Sequence, residues 1–271
     1  MPSLSLDTRA DRGHRWSPSV RSWLVWLGVA FVLSPVAPAR AQGADPDGDG
    51  LPSAWETQFG LDPASAAGSD GAAGDPDGDG FTNAQELAAG THPRGTTTCI
   101  FAEGATGSFF DTRFAVFNTN LTTSARTLVR YLRADGVVVP QMLTLLPGAR
   151  VTLDPETLPQ LASAAFSTVI EADTVVVADR TMAWDSRHYG SHAETAVARP
   201  SMTWYLAEGA THLNFNLFYL LVNPNAAPAS VTVTYLLEGG PPFVHGPVGI
   251  RHARDRASVT RTASARFFRH Q

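Results

Sequence analysis

Two acidic segments that share one spacing constrain this chain most strongly. They begin at Asp45 and Asp75, 30 residues apart, and each carries aspartate at positions 1, 3 and 5, glycine at position 6 and glutamate at position 12. Calcium binds about six to eight oxygen ligands, and a twelve-residue loop with this spacing can wrap them around one ion. The glycine permits a sharp turn that a Cβ atom would obstruct. The paired loops predict two calcium sites, against the alternative of solvated acidic turns.

The predicted ligands occupy six positions in each loop. The aspartates point inward, position 7 offers a backbone carbonyl, position 9 binds directly or through water, and the glutamate closes the site with both oxygens. These residues are Asp45, Asp47, Asp49, Leu51, Ser53 and Glu56 in the first loop, and Asp75, Asp77, Asp79, Phe81, Asn83 and Glu86 in the second. Short helices predicted at 52–59 and 82–89 carry the closing glutamates, and Ala- and Gly-rich sequence stands where an incoming helix would lie.

The D-P-D-G-D-G-L/F core, followed by W/Q-E and by G-x-D/H-P, resembles the bacterial thrombospondin type 3-like calcium repeats over residues 45–93. The resemblance implies a metal-stiffened extracellular spacer with EF-hand-like loops. Few apolar residues lie in the module at 42–97, so we expect it to be loose without calcium and ordered with it.

The first 41 residues have the pattern of a secretory signal peptide. Arginines precede an apolar run at 23–33, and Ala39-Arg40-Ala41 supplies a small-x-small cleavage site. The run is shorter than the roughly 20 residues that span a membrane. We predict a bacterial protein that is secreted or displayed at the cell surface, with no membrane contact once it is cleaved before Gln42. An uncleaved membrane anchor is the alternative.

Charge and cysteine content exclude one class of partner and one source of stability. Residues 42–250 contain 22 acidic residues against 9 arginines, and Cys99 is the single cysteine of the chain. The acidic body argues against a nucleic-acid partner, because phosphate binding needs clustered positive charge. One cysteine cannot form an internal disulfide, so stability must come from apolar cores and from bound metal.

Internal repetition predicts the rest of the organisation. The segment TCIFAEGAT at 98–106 recurs as TWYLAEGAT at 203–211, offset by 105 residues. We predict a β-domain at 98–200, a partial second copy at 201–250 and an arginine-rich tail at 251–271. The strand pattern fails after Phe243. A truncated or frameshifted gene end, so that the tail is not authentic, and a basic tail that contacts anionic wall polymer are both open interpretations.

Short β-branched and aromatic segments predict the fold of the first copy. The predicted strands are 114–118, 127–133, 137–145, 150–153, 164–171 and 174–182, with a helical turn at 155–161. Strands of this length without βαβ alternation indicate a mainly β fold, an immunoglobulin-like antiparallel β-sandwich.

The W-Y-L-A-E-G-A-T motif at 204–211, with N-P-N at 223–225, is similar to a secreted bacterial β-domain family of unknown function over residues 98–240. The resemblance implies tandem extracellular β-sandwiches with no assigned activity. Cys99 stands where that family has tryptophan, and we expect it to be a small buried hydrophobe. A reactive thiol is the alternative.

Catalytic residue types cluster at 185–194, where His188 and His192 are four residues apart and Asp185 and Ser191 lie nearby. Metal ligation at that spacing needs a helix, which a glycine inside the stretch disfavours, and the sequence lacks a nucleophile elbow. We interpret this stretch as a polar loop between strands, with a ligand-binding rim as the alternative.

We therefore predict no catalytic residues and no enzymatic activity. The recurring Glu103 and Glu208 suit a structural role, such as accepting backbone N–H groups at a turn. The predicted function is a calcium-stabilised spacer with β-sandwich domains of structural or adhesive role, whose partner is a cell-wall or extracellular glycan or protein. A carbohydrate-binding or accessory fragment of a larger secreted enzyme is the alternative, with Trp184 and Tyr189 as aromatic candidates.

Overall fold

The computed structural model describes residues 43–185, 190–207, 209, 217–225 and 227–250, with only the backbone at 218, together with the backbone of 256–261. These residues belong to one compact unit, Gln42–Gln271. The predicted signal peptide, His188, Tyr189 and Glu208 lie outside the described residues. The helices and strands in chain order are α1 (Ser53–Phe59), α2 (Asn83–Ala89), β1 (Thr97–Phe101), β2 (Phe110–Asn118), β3 (Ala125–Arg133), β4 (Val138–Leu145), β5 (Arg150–Leu153), β6 (Phe166–Ala172), β7 (Val176–Trp184), β8 (Gly190–Thr195), β9 (Leu217–Val222), β10 (Ala229–Tyr235), β11 (Phe243–Ile250) and β12 (Arg256–Arg261).

Each acidic loop leads into a helix of seven residues. The helices end at Gly60 (φ 74°) and Gly90 (φ 70°), where glycine adopts the left-handed backbone without a Cβ penalty. At the start of α2 the Thr82 hydroxyl accepts from the Gln85 N–H, and the Gln85 side chain accepts from the Thr82 N–H. This capping box satisfies two N–H groups that would otherwise lack partners. Both predicted helices are present, each beginning one residue later than expected.

Two four-stranded antiparallel sheets form the first β-domain. Their strand orders are β1-β6-β3-β4 and β5-β2-β7-β8. Fully buried aromatic rings fill the space between them: the Phe114 centroid of the second sheet lies 5.2 Å from that of Phe101 and 6.1 Å from that of Tyr131 in the first. Cys99 is buried in the same core, as expected. The predicted mainly β, antiparallel sandwich is confirmed.

The six predicted strands appear as β2 to β7; β5 has the predicted bounds and the other five have shifted ends. The helical turn appears as two 3₁₀ helices, Pro155–Thr157 and Pro159–Leu161. Two further strands, β1 and β8, were not predicted. The interpretation of 185–194 as a loop is wrong for 190–194, because β8 pairs with β7 and places His192 opposite Met182. This edge strand mixes polar and small residues, so its pairing with β7 rather than its own periodicity defines it.

The second copy repeats strand pairings of the first. β9 pairs with β12 as β2 pairs with β5, and β10 pairs with β11 as β3 pairs with β4. The register agrees as well: Val222 opposes Arg256, and Phe117 opposes Arg150. Among the described residues of the second copy, no strands equivalent to β6, β7 and β8 are seen.

An asparagine fixes the same turn in both copies. Asn118 donates its amide N–H groups to the carbonyls of Thr123, Leu145 and Leu146 at 2.9–3.1 Å, and the equivalent Asn223 donates to the carbonyl of Ala227 at 2.7 Å. Both asparagines are buried. The N-x-N repetition in the sequence therefore marks a turn that folds back onto the sheet.

The expectation that strands end after Phe243 is wrong, because β11 continues to Ile250 and β12 follows. Gly246 and Pro247 obscure the alternation in the sequence. The β10–β11 ladder shifts register between Val231 and Val233, opposite these two residues. Such an irregularity accommodates a proline, which cannot donate to a ladder.

Candidate metal centres

The three aspartates of the first loop converge. Their carboxylate oxygens lie within 4.8 Å of one another. The Asp45 carboxylate accepts from the N–H groups of Gly48 at 2.9 Å and Gly50 at 3.0 Å, and the Asp49 carboxylate accepts from the Leu51 N–H at 2.8 Å. These bonds wind the backbone around its own carboxylates and hold a cluster of three negative charges together.

Glu56 closes this loop and is completely buried, yet neither carboxylate oxygen has a hydrogen-bond partner. Oδ2 of Asp47 is also buried without a partner. A buried, unpaired carboxylate costs several kcal/mol, so a fold retains one when a cation compensates it. The donors are all hard oxygens, which suit calcium in preference to softer transition metals. The residues of the first loop therefore fit the calcium ion that their spacing predicts.

The second loop has the same internal geometry. The Asp75 carboxylate accepts from the N–H groups of Gly78 at 2.8 Å and Gly80 at 3.0 Å. Oxygens of Asp75, Asp77 and Asp79 again lie within 4.8 Å of one another. The closing Glu86 is 4% exposed, and its Oε2 is buried without a partner. The two loops thus repeat each other in structure as well as in sequence.

Crowded carboxylates raise one another's pKa values in the absence of a cation. Burial, followed by the charges of Asp47 and Asp49, raises the pKa of Glu56 to about 7. Burial is also the largest cause that raises the pKa of Glu86 to about 7, and burial with the charge of Asp79 raises that of Asp77 to about 6. A divalent cation would reverse this penalty, because it favours the ionised form of every ligand.

The residues at position 9 hold the base of each loop. Ser53 and Asn83 each donate their main-chain N–H to the carbonyl of the residue before the loop, at 2.8 Å. The Ser53 hydroxyl also donates to the Ala44 carbonyl at 2.8 Å, and the Asn83 amide donates to the carbonyls of Ser69 and Gly71 at 2.9 and 2.8 Å. Metal ligation by these two side chains stays a prediction, while their role in loop closure is structural.

Each loop also accepts one hydrogen bond from a more distant backbone segment. Oδ2 of Asp49 accepts from the Ala72 N–H at 2.7 Å, and Oδ2 of Asp77 accepts from the Gly95 N–H at 2.6 Å. Nothing in the sequence indicates these two contacts, because any residue with an N–H group can make them.

The turn after each helix differs between the repeats at one position. In the first repeat Asp62 is exposed and accepts from the Ala64 N–H at 3.1 Å. In the second repeat His92 makes the same turn, with Nδ1 accepting from the Arg94 N–H at 3.0 Å, but its ring is buried. The longer side chain also places Nε2 at 3.2 Å from the Arg126 carbonyl of β3. The D/H alternation in the repeat motif thus marks where the module meets the β-sandwich.

A third acidic group, Asp111, Asp154 and Glu156, also has oxygens within 4.8 Å of one another. Here Arg113 supplies the positive charge: its Nε lies 2.8 Å from Asp111, and its guanidinium also pairs with Asp154. An ion pair explains this cluster without a metal.

Glu103 and His192, whose side chains are of types that can act in catalysis, lie around a buried arginine at the seam between β1 and β8. Arg180 is fully buried and donates to the carbonyl of Glu103 at 2.7 Å and to its carboxylate at 3.1 Å. Its other terminal nitrogen lies 3.4 Å from Glu194 and contacts the His192 ring. The partner of Glu103 is thus a guanidinium rather than the N–H groups of a turn, and its structural role stays a prediction. Sequence reasoning missed Arg180, which occupies an inward position of β7 where an apolar residue is usual.

Comparison with known proteins supports a calcium repeat in part of the chain. Residues 75–93 match the family model described as bacterial TSP3 repeat. TSP3 repeats are calcium-binding structural modules that occur in extracellular proteins. The β-domain family named above is not confirmed by these comparisons. None of the helices in the described part of the chain has the length and apolar character of a membrane span.

The solved structures that match this chain are only weakly similar to it. A crystal structure of Thermotoga maritima 1070 is 15% identical, covers 38% of this chain and 94% of its own, and gives a TM-score of 0.35. The Anabaena sensory rhodopsin transducer is 18% identical, covers 31% of this chain and 85% of its own, and gives a TM-score of 0.27. No curated protein matches the chain.

Proposed function

We propose that this protein is an exported, calcium-stabilised spacer that carries β-sandwich domains with a structural or adhesive role and no catalytic activity. The single observation that carries the calcium part is Glu56, a fully buried carboxylate with both oxygens unpartnered at the closing position of an acidic loop. The matching geometry of the second loop supports a second ion.

Calcium would act structurally in this proposal. Each loop brings together three aspartates and a buried glutamate, and the repulsion between them opposes folding until a cation is bound. The module between residues 43 and 96 contributes few buried apolar side chains, among them Leu51, Phe59 and Leu61. Metal binding therefore supplies much of the order that a larger apolar core would otherwise provide.

Export is supported by the N-terminal sequence pattern and by the TSP3 match, since such repeats occur in extracellular proteins. Extracellular calcium modules bind at about 10⁻⁴–10⁻³ M, which suits a permanently occupied structural site outside the cell.

A non-enzymatic role is supported by the surroundings of the candidate residues. Glu103 and Glu194 both pair with Arg180, and His192 contacts the same guanidinium. Groups held in this way lock the seam between the two sheets. These contacts give each of the three side chains a structural role in the seam, so no catalytic role is needed to explain their positions.

Calorimetric titration of calcium into the purified protein tests the proposal, with an Asp47→Ala/Asp77→Ala double variant as control. We expect two sites in the wild type and neither in the variant. Absence of binding up to millimolar calcium in the wild type would refute the calcium role.

Carbohydrate binding is a second candidate, favoured by Trp184. Its indole packs against Gly190, where an added Cβ would lie 2.0 Å from Nε1, and its ring centroid lies 5.7 Å from that of His192. A half-buried indole next to polar side chains is a common surface for stacking a sugar ring. Retention on insoluble polysaccharide that is lost in Trp184→Ala would support this candidate, and failure to bind any tested glycan would exclude it.

A further inference from the structure

We propose that calcium in the second loop, and not in the first, locks the repeat module onto the β-sandwich. The inference rests on the proposed calcium function and assigns the coupling to one of two similar sites. It makes the second loop a calcium-dependent joint between domains, while the first loop orders the module alone.

The two loops differ at position 3. Oδ2 of Asp47 has no hydrogen-bond partner, whereas Oδ2 of Asp77 accepts from the Gly95 N–H at 2.6 Å. Gly95 lies two residues before β1, the edge strand of the first sheet. The Asp77 carboxylate is therefore a predicted calcium ligand and also a hydrogen-bond acceptor for the backbone that leads into β1. An ion that fixes the position of Asp77 fixes this contact with it.

Further contacts join the same end of the module to the sandwich. His92 lies 3.2 Å from the Arg126 carbonyl through Nε2, and the Thr96 hydroxyl lies 3.5 Å from the Ala172 carbonyl of β6. An added Cβ on Gly60, at the end of α1, would lie 2.8 Å from the Arg126 guanidinium. The module therefore meets β3 and β6 as a packed joint and not as a flexible tether.

Electrostatics makes this joint sensitive to the ion. A Cβ built on Gly95 would lie 3.5 Å from the Cβ of Glu171, a carboxylate of β6 that pairs with Arg130 at 2.6 Å. The negative charge of Asp79 opposes the ionisation of Glu171, and the negative charge of Glu171 opposes the ionisation of Glu86. Without a cation Asp79 and Glu171 repel each other, and this repulsion is smaller than the attraction between Glu171 and Arg130. Two positive charges in the loop would remove that repulsion.

The first loop lacks an equivalent connection among the described contacts. Its long-range bond, from the Ala72 N–H to Asp49, stays within the module. Loss of calcium there would loosen residues 43–74, whose contact with the sandwich is made by Gly60 against the Arg126 guanidinium and involves no ligand of the first loop. The matched glutamates at position 12, Glu56 and Glu86, allow the two sites to be removed separately with the isosteric change to glutamine.

Hydrogen–deuterium exchange on the full protein, with calcium in excess and with calcium chelated, tests the inference in wild type, Glu56→Gln and Glu86→Gln. In the wild type, calcium should slow exchange about tenfold in peptides covering 95–101 and 166–172. Glu56→Gln should retain that protection, and Glu86→Gln should lose it. Peptides covering β2 serve as the internal reference for a folded sandwich, and native mass spectrometry counts the bound ions.

The outcomes separate the two proposals. If the wild type binds two ions and Glu86→Gln still shows calcium-dependent protection of 95–101, the joint is not controlled by the second loop, although the calcium function stands. Equal loss of protection in both variants would likewise overturn the inference. If the wild type binds no calcium, the proposed function fails together with it.

Discussion

Replacement of His92 by asparagine is expected to destabilise the protein at neutral pH and to stabilise it in mild acid. Nδ1 of His92 accepts from the Arg94 N–H, so the neutral ring carries its proton on Nε2 and donates it to the Arg126 carbonyl. Asparagine can still accept in the turn but is too short for the second bond. The ring also packs edge-on against Phe59, with centroids 4.7 Å apart. Loss of one buried hydrogen bond and this contact should cost about 1–2 kcal/mol near neutral pH.

In acid the effect of His92→Asn on stability changes sign, because burial lowers the pKa of His92 from 6.5 to about 4. The unfolded chain therefore binds a proton more readily than the folded one. The stability contributed by the neutral ring is complete above pH 6.5 and is lost as the pH falls from 6.5 towards about 4. One pKa unit corresponds to about 1.4 kcal/mol, so about 2.5 kcal/mol should be lost by about pH 4.5. This loss exceeds the gain from the hydrogen bond.

Urea denaturation of wild type and His92→Asn at about pH 7.5 and about pH 4.5, in the same excess of calcium, measures both effects. Taking the difference between the proteins at each pH cancels titration of the calcium ligands. The matched control is Asp62→Asn, the exposed equivalent in the first repeat, which should change stability little at either pH. A difference between wild type and His92→Asn that is the same at both pH values would refute the argument.

Three further predictions concern the sandwich. Gly104→Ala should cost about 1–3 kcal/mol in thermal unfolding, because a Cβ there would lie 2.5 Å from the Phe166 ring, whereas Gly249→Ala, with open space around it, should be nearly neutral. Asn118→Ala, which removes three bonds from a buried amide, should cost about 2–3 kcal/mol by urea denaturation, and a neutral effect would contradict the turn's role. Cys99 is buried and burial raises its thiol pKa, so a thiol reagent should label it in the unfolded protein and not in the native one.

The parts of this molecule that the sequence predicts are those fixed by local chemistry. A ligand loop draws its residues from twelve consecutive positions, so the spacing of Asp45, Asp47, Asp49 and Glu56 already contains the geometry. Helix ends follow from the glycines after each repeat. Strands with clear alternation, such as β3 and β7, are predicted to within a few residues.

The parts that it does not predict depend on partners distant in sequence. Strand β8 exists because β7 offers it a ladder, and β11 tolerates Pro247 because its partner shifts register there. The buried Arg180 breaks the apolar alternation of β7, and its partner Glu103 lies 77 residues away in the chain. His92 has two roles, and only the local one, in the turn, can be read from the repeat.

The most direct test of the central claim is a crystal structure determined with calcium in the solution. We expect two ions, each about 2.3–2.6 Å from carboxylate oxygens, one bound by Asp45, Asp47, Asp49 and Glu56 and the other by Asp75, Asp77, Asp79 and Glu86. Loops without an ion at saturating calcium, with Glu56 bonded to a protein donor or exposed to solvent, would contradict it.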